Sequence, residues 1–445
     1  MSQSLTFRLA EHERSATPLP ASFDVPGLQA YLRTAWDRRL LWDDETATPP
    51  KGEPLLSVEY GGYLRAHNYV GLVQWQGLRV EIYPKLFEGG PPDGRHWFGH
   101  LLWWLSYCRR IRFPFAGVLA ELAQVEDFPE AIIAHFARFS YRILSTQPYL
   151  RYQETTEALP YMRGRLSTSV YVRDSLSRGM LHQLVCEHEP FVYDNRLNRI
   201  IKYVARQLSY VCRFGETYQA LSQVLFLLDE VSDQPATATD CDGIHLSPMF
   251  GDYADVLAMC QFFLSESYLD LTDATQANYC FLVPMEYVFE DFLRGFLEEN
   301  FGEEYKIEYQ KTGWLTDEQL FQLRHDLFLT HRISGQRLIV DAKYKVRGDE
   351  GIDKKVGVAQ SDMYQLVSYC LRSNCRQGLL IYPGTDGQAV PAVQPFTISS
   401  KLMLLEANSI VIRAASLPVT GTLDDENKRA VHLKTSIQQL LNLCI

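Results

Sequence analysis

The sequence predicts a multidomain α/β protein with an N-terminal β-rich region, a helical region bearing a protruding β-hairpin, and a C-terminal α/β domain. Three observations predict it. At 445 residues the chain exceeds what one core usually holds. The hydrophobic pattern changes from β-rich runs over 54–86 to apolar residues at three and four spacing over 97–146. In the last third, short β-like runs carrying charges lie between amphipathic helices. These features place the domains at 1–95, 96–275 and 276–445.

In the first region LLSVEY, YLRAHNYVGLVQW and LRVEIYPKL read as strands, separated by turn signals at Tyr60-Gly61-Gly62-Tyr63 and Gln76-Gly77. The loop EGGPPDG at 88–94 closes it. WFGHLLWWLSYC and PEAIIAHFARFSYRIL read as helices. Over 159–192 the pattern differs: RLSTSVYV and LHQLVCEHE are β-like and flank RDSLSRG, which fits a hairpin turning near Ser175–Gly179. Neither face is cleanly apolar, so the hairpin is expected to meet water or another chain. Helices return over 194–230; SDQPATATDCDG at 232–243 is a loop and a plausible seam; helices follow at 252–268 and 284–300. The tail holds a strand, SIVIRAA, and a last helix, ENKRAVHLKTSIQQLLNL.

The composition, 46% hydrophobic and 22% charged, is that of a globular protein, and no apolar run reaches the ~18 residues a membrane span needs. The N-terminus, MSQSLTFRLAEHERS, lacks the basic-then-apolar order of a secretory signal. Nine cysteines, an odd number without CxxC, point to reduced thiols in the cytoplasm. Cys280, Cys370, Cys375 and Cys444 flank the charged strand as in some iron–sulfur nucleases, but their last gap is too wide, and buried thiols are expected. The net charge of −11 argues against a chain that grips nucleic acid alone, because phosphate neutralisation dominates that affinity.

The segment RLIVDAKYKV, 337–346, carries the chemistry. Side chains alternate along a strand, so Asp341, Lys343 and Lys345 share one face and Ala342 and Tyr344 the other. Burying lone charges costs several kcal/mol unless they pair or bind metal. Upstream, LRHDLFL supplies Asp326, and Ser334-Gly335 between the two runs is a hairpin turn that would bring Asp326 to Asp341. Two carboxylates suit Mg²⁺, which wants oxygen ligands and keeps several waters; the Ala342 carbonyl would be a further ligand. Lys343 would orient the attacking water and stabilise charge on a phosphate. This is the spacing of PD-(D/E)xK, restriction-endonuclease-like domains. In the helix PMEYVFEDFLRGFLEEN, Glu286 and Glu290 share a face, and Glu290 is the chosen inward acid and metal ligand. In SDMYQLVSYCL, Gln365 and Tyr369 lie one turn apart, and Gln365 is expected to back the site. A surface salt-bridge ladder is the plain alternative for D-x-K.

Taken in order, YVGLVQWQGLRVEIYPKL (69–86), RGRL (163–166), CEHEPFVYDNRLNRIIK (186–202), FEDFL (289–293), HD (325–326), VDAKYK (340–345) and MYQLVSY (363–369) resemble the McrC family, the endonuclease subunits of McrBC-type, GTP-dependent restriction systems. The resemblance implies a C-terminal domain that cuts double-stranded DNA. It also implies an N-terminal part that docks on a hexameric AAA+ GTPase of the McrB type, stimulates it through an arm, and leaves most of the DNA grip to it. The arm is placed on the hairpin at about 163–190, with Arg173 and Arg178 at its tip. An edge hairpin packed on its own domain is the alternative. No G-x-x-x-x-G-K-[ST] is present, so nucleotide binding by that route falls to the partner. The chain departs from the family with HD in place of PD; His325 is assigned a structural role. Residues 1–50 and 205–275 match nothing in the family pattern.

Two rival functions compete. One is a catalytically vestigial activator or structural plug of an AAA+ ring, which the intact acid–acid–Lys set opposes. The other is a stand-alone repair nuclease, which the acidic charge and the long front half oppose.

Overall fold

The computed structural model describes residues 5–37, 54–87, 94–111, 113–122, 127–265, 269–270, 278–347, 355, 357–385, 393–398, 409–420 and 426–444. The chain divides into two compact units, Met1–Glu126 with Gln276–Ile445, and Asp127–Thr275. This differs from the expected division into 1–95, 96–275 and 276–445, and one strand explains why. Asn278–Pro284 runs antiparallel to Tyr69–Trp75, with Cys280 opposite Val73, so the N-terminal sheet is completed from the far end of the sequence.

In that sheet Leu5–Ala10 lies parallel to Leu78–Tyr83, which is antiparallel to Tyr69–Trp75. Gln76 and Gly77, with φ of 43° and 81°, make the two-residue turn whose backbone matches strand twist. Phe7, Leu28, Val73, Val80, Ile82 and Cys280 fill the core beneath. The expected strands of 54–86 are present as Leu56–Val58, Leu64–Ala66, Tyr69–Trp75 and Leu78–Tyr83. Residues 88–93 of the expected closing loop lie outside the described residues.

The same unit contains a six-stranded sheet in the order Tyr305–Trp314, Gln322–His331, Arg337–Ala342, Gln377–Thr385, Ile410–Thr420, Gln394–Ile398. The first three strands are antiparallel; the third, fourth and fifth are parallel. A parallel step needs a crossover, and helix Gln360–Arg372 lies within it, burying Leu366, Tyr369 and Cys370 against Ile339, Leu380 and Ile412. Helix Met285–Phe301 buries Val288, Phe289, Phe292 and Phe296. Phe292 stacks on Trp104 of helix Gly94–Tyr107 with centroids 5.5 Å apart. The two helices touch at Gly295, where a Cβ would sit 1.7 Å from the Tyr107 carbonyl oxygen.

The second unit contains helices Phe128–Thr146, Arg196–Val211, Gly215–Leu227 and Tyr253–Leu264. The polar residues of YDNRLNRIIK work inside it. Asn195 caps its helix through the Asn198 amide, and the Asn198 side chain donates to the Tyr149 and Tyr193 carbonyls at 2.9 and 2.8 Å. Asp194 accepts from Arg199 at 2.6 Å; first through that bond and then through Ser232, its pKa falls to about 2.

The expected long hairpin arm is corrected here. Only Arg165 and Leu166 pair with Glu187 and Cys186, and the strand Leu184–His188 takes its longer partner from Thr155–Leu159. Residues 168–178 wind through α, π and 3₁₀ turns that end at Gly179. The β-branched residues Thr168, Val170 and Val172 suggested a strand, but local helical bonds win, with the Tyr171 amide donating to the Ser167 carbonyl at 2.8 Å and Ser175 buried. Gly164, φ 71°, permits the short pairing; a Cβ there would meet the Glu187 carbonyl at 2.4 Å. The loop at 232–243 holds a capped 3₁₀ turn, Ala238–Cys241, and the division of the chain falls elsewhere.

Among the described residues no helix is long and apolar enough to cross a membrane. Gly295→Ala should destabilise the protein by about 3 kcal/mol, because neither backbone at the crossing can give way easily. Denaturant unfolding checks this, and an unchanged midpoint would disprove the tight crossing.

Candidate functional site

The site is built where the hairpin Gln322–His331/Arg337–Ala342 opens. Leu327 pairs with Val340. The next residues along, Asp326 and Asp341, therefore face each other. The Ala342 amide donates to Asp326 Oδ2 at 2.9 Å, fixing that carboxylate against the neighbouring strand. Asp341 is fully buried, and Lys343 Nζ lies 2.8 Å from its Oδ2. The Lys343 ammonium and the Asp326 carboxyl are the polar groups that meet the Asp341 carboxylate. Lys343 Nζ also donates to Gln365 Oε1 at 3.1 Å, and Gln365 Nε2 donates to the Tyr369 hydroxyl at 2.7 Å. Gln365 thus links Lys343 to Tyr369.

Electrostatics follow from this crowding. Burial pushes the Asp326 pKa well up, and the charges of Asp341 and Glu290 push it further. Burial raises Asp341 as well, against the pull of Lys343. For Lys343, burial favours the neutral amine, but Asp341 and then Asp326 outweigh it, so its pKa rises and it stays protonated.

Other expected residues fall into place differently. Glu290 accepts from Gln310 Nε2 at 3.1 Å and its charge reaches Asp326. Glu286, one turn away, instead acts on Glu11 and Tyr344. Among the described residues no group of three or more His, Cys, Asp or Glu is arranged to hold a metal ion. Lys345 turns to Asp362, at 2.9 and 3.0 Å. His325 is structural: Nδ1 meets the Lys311 carbonyl at 2.8 Å, Nε2 meets Ser373 Oγ at 2.9 Å, and its ring packs on Tyr369. Arg173 and Arg178 sit on exposed helical turns, with Arg173 paired to Asp174 at 2.9 Å.

Sequence reasoning missed Asp362, Glu11 and Gln310. Asp362 had a faint signal, an acid three residues before Gln365 on one helix. Glu11 bonds the Tyr344 hydroxyl at 2.7 Å and the Lys85 amide at 2.9 Å, a contact across more than 300 positions that no local pattern announces.

The donor set suits a hard divalent cation. Two opposed carboxylates with a single ammonium, Lys343, against them keep a net negative charge that is costly unless a further cation offsets it. Mg²⁺ accepts two protein carboxylates and fills its remaining positions with a carbonyl and waters.

Comparisons extend this picture. No curated protein matches the chain. Among solved structures, the refined half-complex from a tetradecameric assembly of Thermococcus gammatolerans McrB AAA+ hexamers with bound McrC contains a similar chain. Its TM-score is 0.70 at 16% identity, covering 98% of this chain and 100% of that one. A chain in the cryo-EM structure of the Thermococcus gammatolerans McrBC complex gives 0.50 at 18% identity, covering 66% and 88%. At such identities the likeness is one of fold. The family model described as McrBC 5-methylcytosine restriction system component matches residues 64–383, a span that includes Asp326, Asp341, Lys343 and Gln365. With that match over more than half its length, the chain belongs to the McrBC 5-methylcytosine restriction system component family.

Proposed function

We propose that this chain is the Mg²⁺-dependent DNA endonuclease subunit of a GTP-dependent restriction complex, working with an AAA+ ring that recognises and translocates DNA. The observation that carries it is the opposed Asp326–Asp341 pair with Lys343 Nζ 2.8 Å from Asp341. Asp326, Asp341 and the Ala342 carbonyl would hold Mg²⁺, which supplies charge that offsets the phosphate and eases ionisation of water. Lys343 keeps its proton and, steadied by Gln365, donates to the attacking water or a phosphate oxygen where negative charge develops. Glu290 acts from further out, adding negative charge beside Asp326.

For the partner, the likeness to a chain from McrB AAA+ hexamers with bound McrC supports a GTPase ring of that type. We assign its stimulation to the second unit, through the exposed turns carrying Arg173 and Arg178. The net charge of −11 fits a subunit whose double-stranded DNA is held mainly by the ring. A vestigial plug would have no use for a buried acid pair that weakens the fold. A stand-alone repair nuclease would need a basic surface of its own.

Asp326→Ala, Asp341→Ala and Lys343→Ala should each lower cleavage about 100-fold or more while leaving GTPase stimulation intact. Wild-type cleavage by Asp341→Ala, assayed with partner, GTP and Mg²⁺, would remove the assignment.

Asp326 also couples stability to charge. A carboxyl raised above its unfolded value of about 3.9 contributes stability that is present below that value and lost as pH rises through the folded one. The metal-free protein is therefore weakened at neutral pH by its own acid pair. Asp326→Asn should raise the metal-free melting midpoint and abolish the rise that Mg²⁺ gives wild type. A variant that melts lower and still responds to Mg²⁺ would contradict the site. Arg178→Glu should reduce GTPase stimulation several-fold without affecting the Mg²⁺ response; unchanged stimulation would move the docking surface elsewhere.

A further inference from the structure

The edge strand Tyr305–Trp314 departs from regular geometry at one position. It pairs with Gln322–His331 in a single register on both sides, Tyr309 opposite Leu327 and Lys311 opposite His325. The pair missing between them is Gln310 opposite Asp326. Gln310 has a φ of 47°, in the left-handed region that long L side chains rarely occupy. Its side-chain amide is held at both ends: Nε2 donates to Glu290 Oε1 at 3.1 Å, and Oε1 accepts from Arg324. Arg324 lies two residues before Asp326, on the same face of its strand. Glu290 reaches the same place from helix Met285–Phe301. The amide therefore stands between an acid and a cation directly beside Asp326. An unfavourable backbone confined to the position facing a candidate metal ligand points to a role at that ligand, because surrounding structure maintains such conformations at a cost.

We infer that Gln310 is a positioning residue of the metal site, its amide fixing the Glu290 carboxylate and the Arg324 guanidinium in place around Asp326. The inference rests on the nuclease reading above. Glu290, so held, would act on Mg²⁺ bound at Asp326, and Arg324 would donate to an oxygen of the DNA phosphate. Groups that orient a metal's surroundings in this way commonly govern its affinity.

The test uses the full-length chain with Gln310→Gly and Gln310→Asn, two residues that accept a left-handed backbone and cannot bridge Glu290 to Arg324. Both variants should fold with a metal-free midpoint at or above wild type. Each should bind Mg²⁺ about 10-fold more weakly by calorimetry and need correspondingly more Mg²⁺ for half-maximal cleavage with the partner present. GTPase stimulation should not change. A purely structural role would lower the midpoint and leave Mg²⁺ affinity alone, and that result overturns the inference. Asp326→Ala, run in parallel, separates the two readings. If it loses Mg²⁺ binding and cleavage while both Gln310 variants keep wild-type values, only the role of Gln310 falls. If Asp326→Ala also behaves as wild type, the nuclease reading falls with it.

Discussion

Two carboxylates forced to face each other are the constraint around which the larger unit is organised. Asp326 and Asp341 sit on adjacent antiparallel strands, one step beyond the last ladder pair, where the Ala342 amide can still reach Asp326. Like charges at that range repel, and burial removes the water that would screen them. Lys343 supplies one compensating charge, and Asp362 holds Lys345 aside. The remaining imbalance is what a divalent cation would settle, and it is the physical basis of the proposed activity.

The strand bearing Asp341 ends at Ala342, and the residues that follow it serve two clusters. One side meets the acids, Lys343 and Gln365. The other sends Tyr344 to Glu11, with Lys85 4.5 Å from its ring centroid. Glu11 lies just beyond the first strand of the N-terminal sheet, Leu5–Ala10, and Lys85 just beyond the end of YVGLVQWQGLRVEIY. The N-terminal sheet is thus bonded to the segment that carries the site. This explains why residues so distant in sequence form one compact unit, with Asn278–Pro284 as their shared strand.

The smaller unit spends its polar residues on itself. Asp194, Asn195 and Asn198 are committed to capping and to loop carbonyls, so the matching stretch around them reads as scaffold. Arg173 and Arg178 are among its exposed charges, on the short helical turns after Gly164. Under the proposed function, that division of labour leaves contact with the ring to the smaller unit and DNA chemistry to the other.

The sequence by itself determined the local chemistry. Alternation in VDAKYK, the Ser334-Gly335 turn and the spacing to Asp326 placed two acids and an amine together, because strand period and hairpin geometry are short-range properties. It determined the helices bearing Glu290 and Gln365 for the same reason. Only the tertiary structure decided that Glu290 meets Gln310 and acts on Asp326 while Glu286 acts on Glu11 and Tyr344, since a one-turn repeat cannot say which of two acids meets which neighbour. Likewise it decided that residues 168–178 coil as helix, where local hydrogen bonding overrode β-branched propensity, and that Gln310 bends opposite Asp326. Those outcomes depend on contacts between segments remote in sequence, and such contacts leave no periodic trace in the chain.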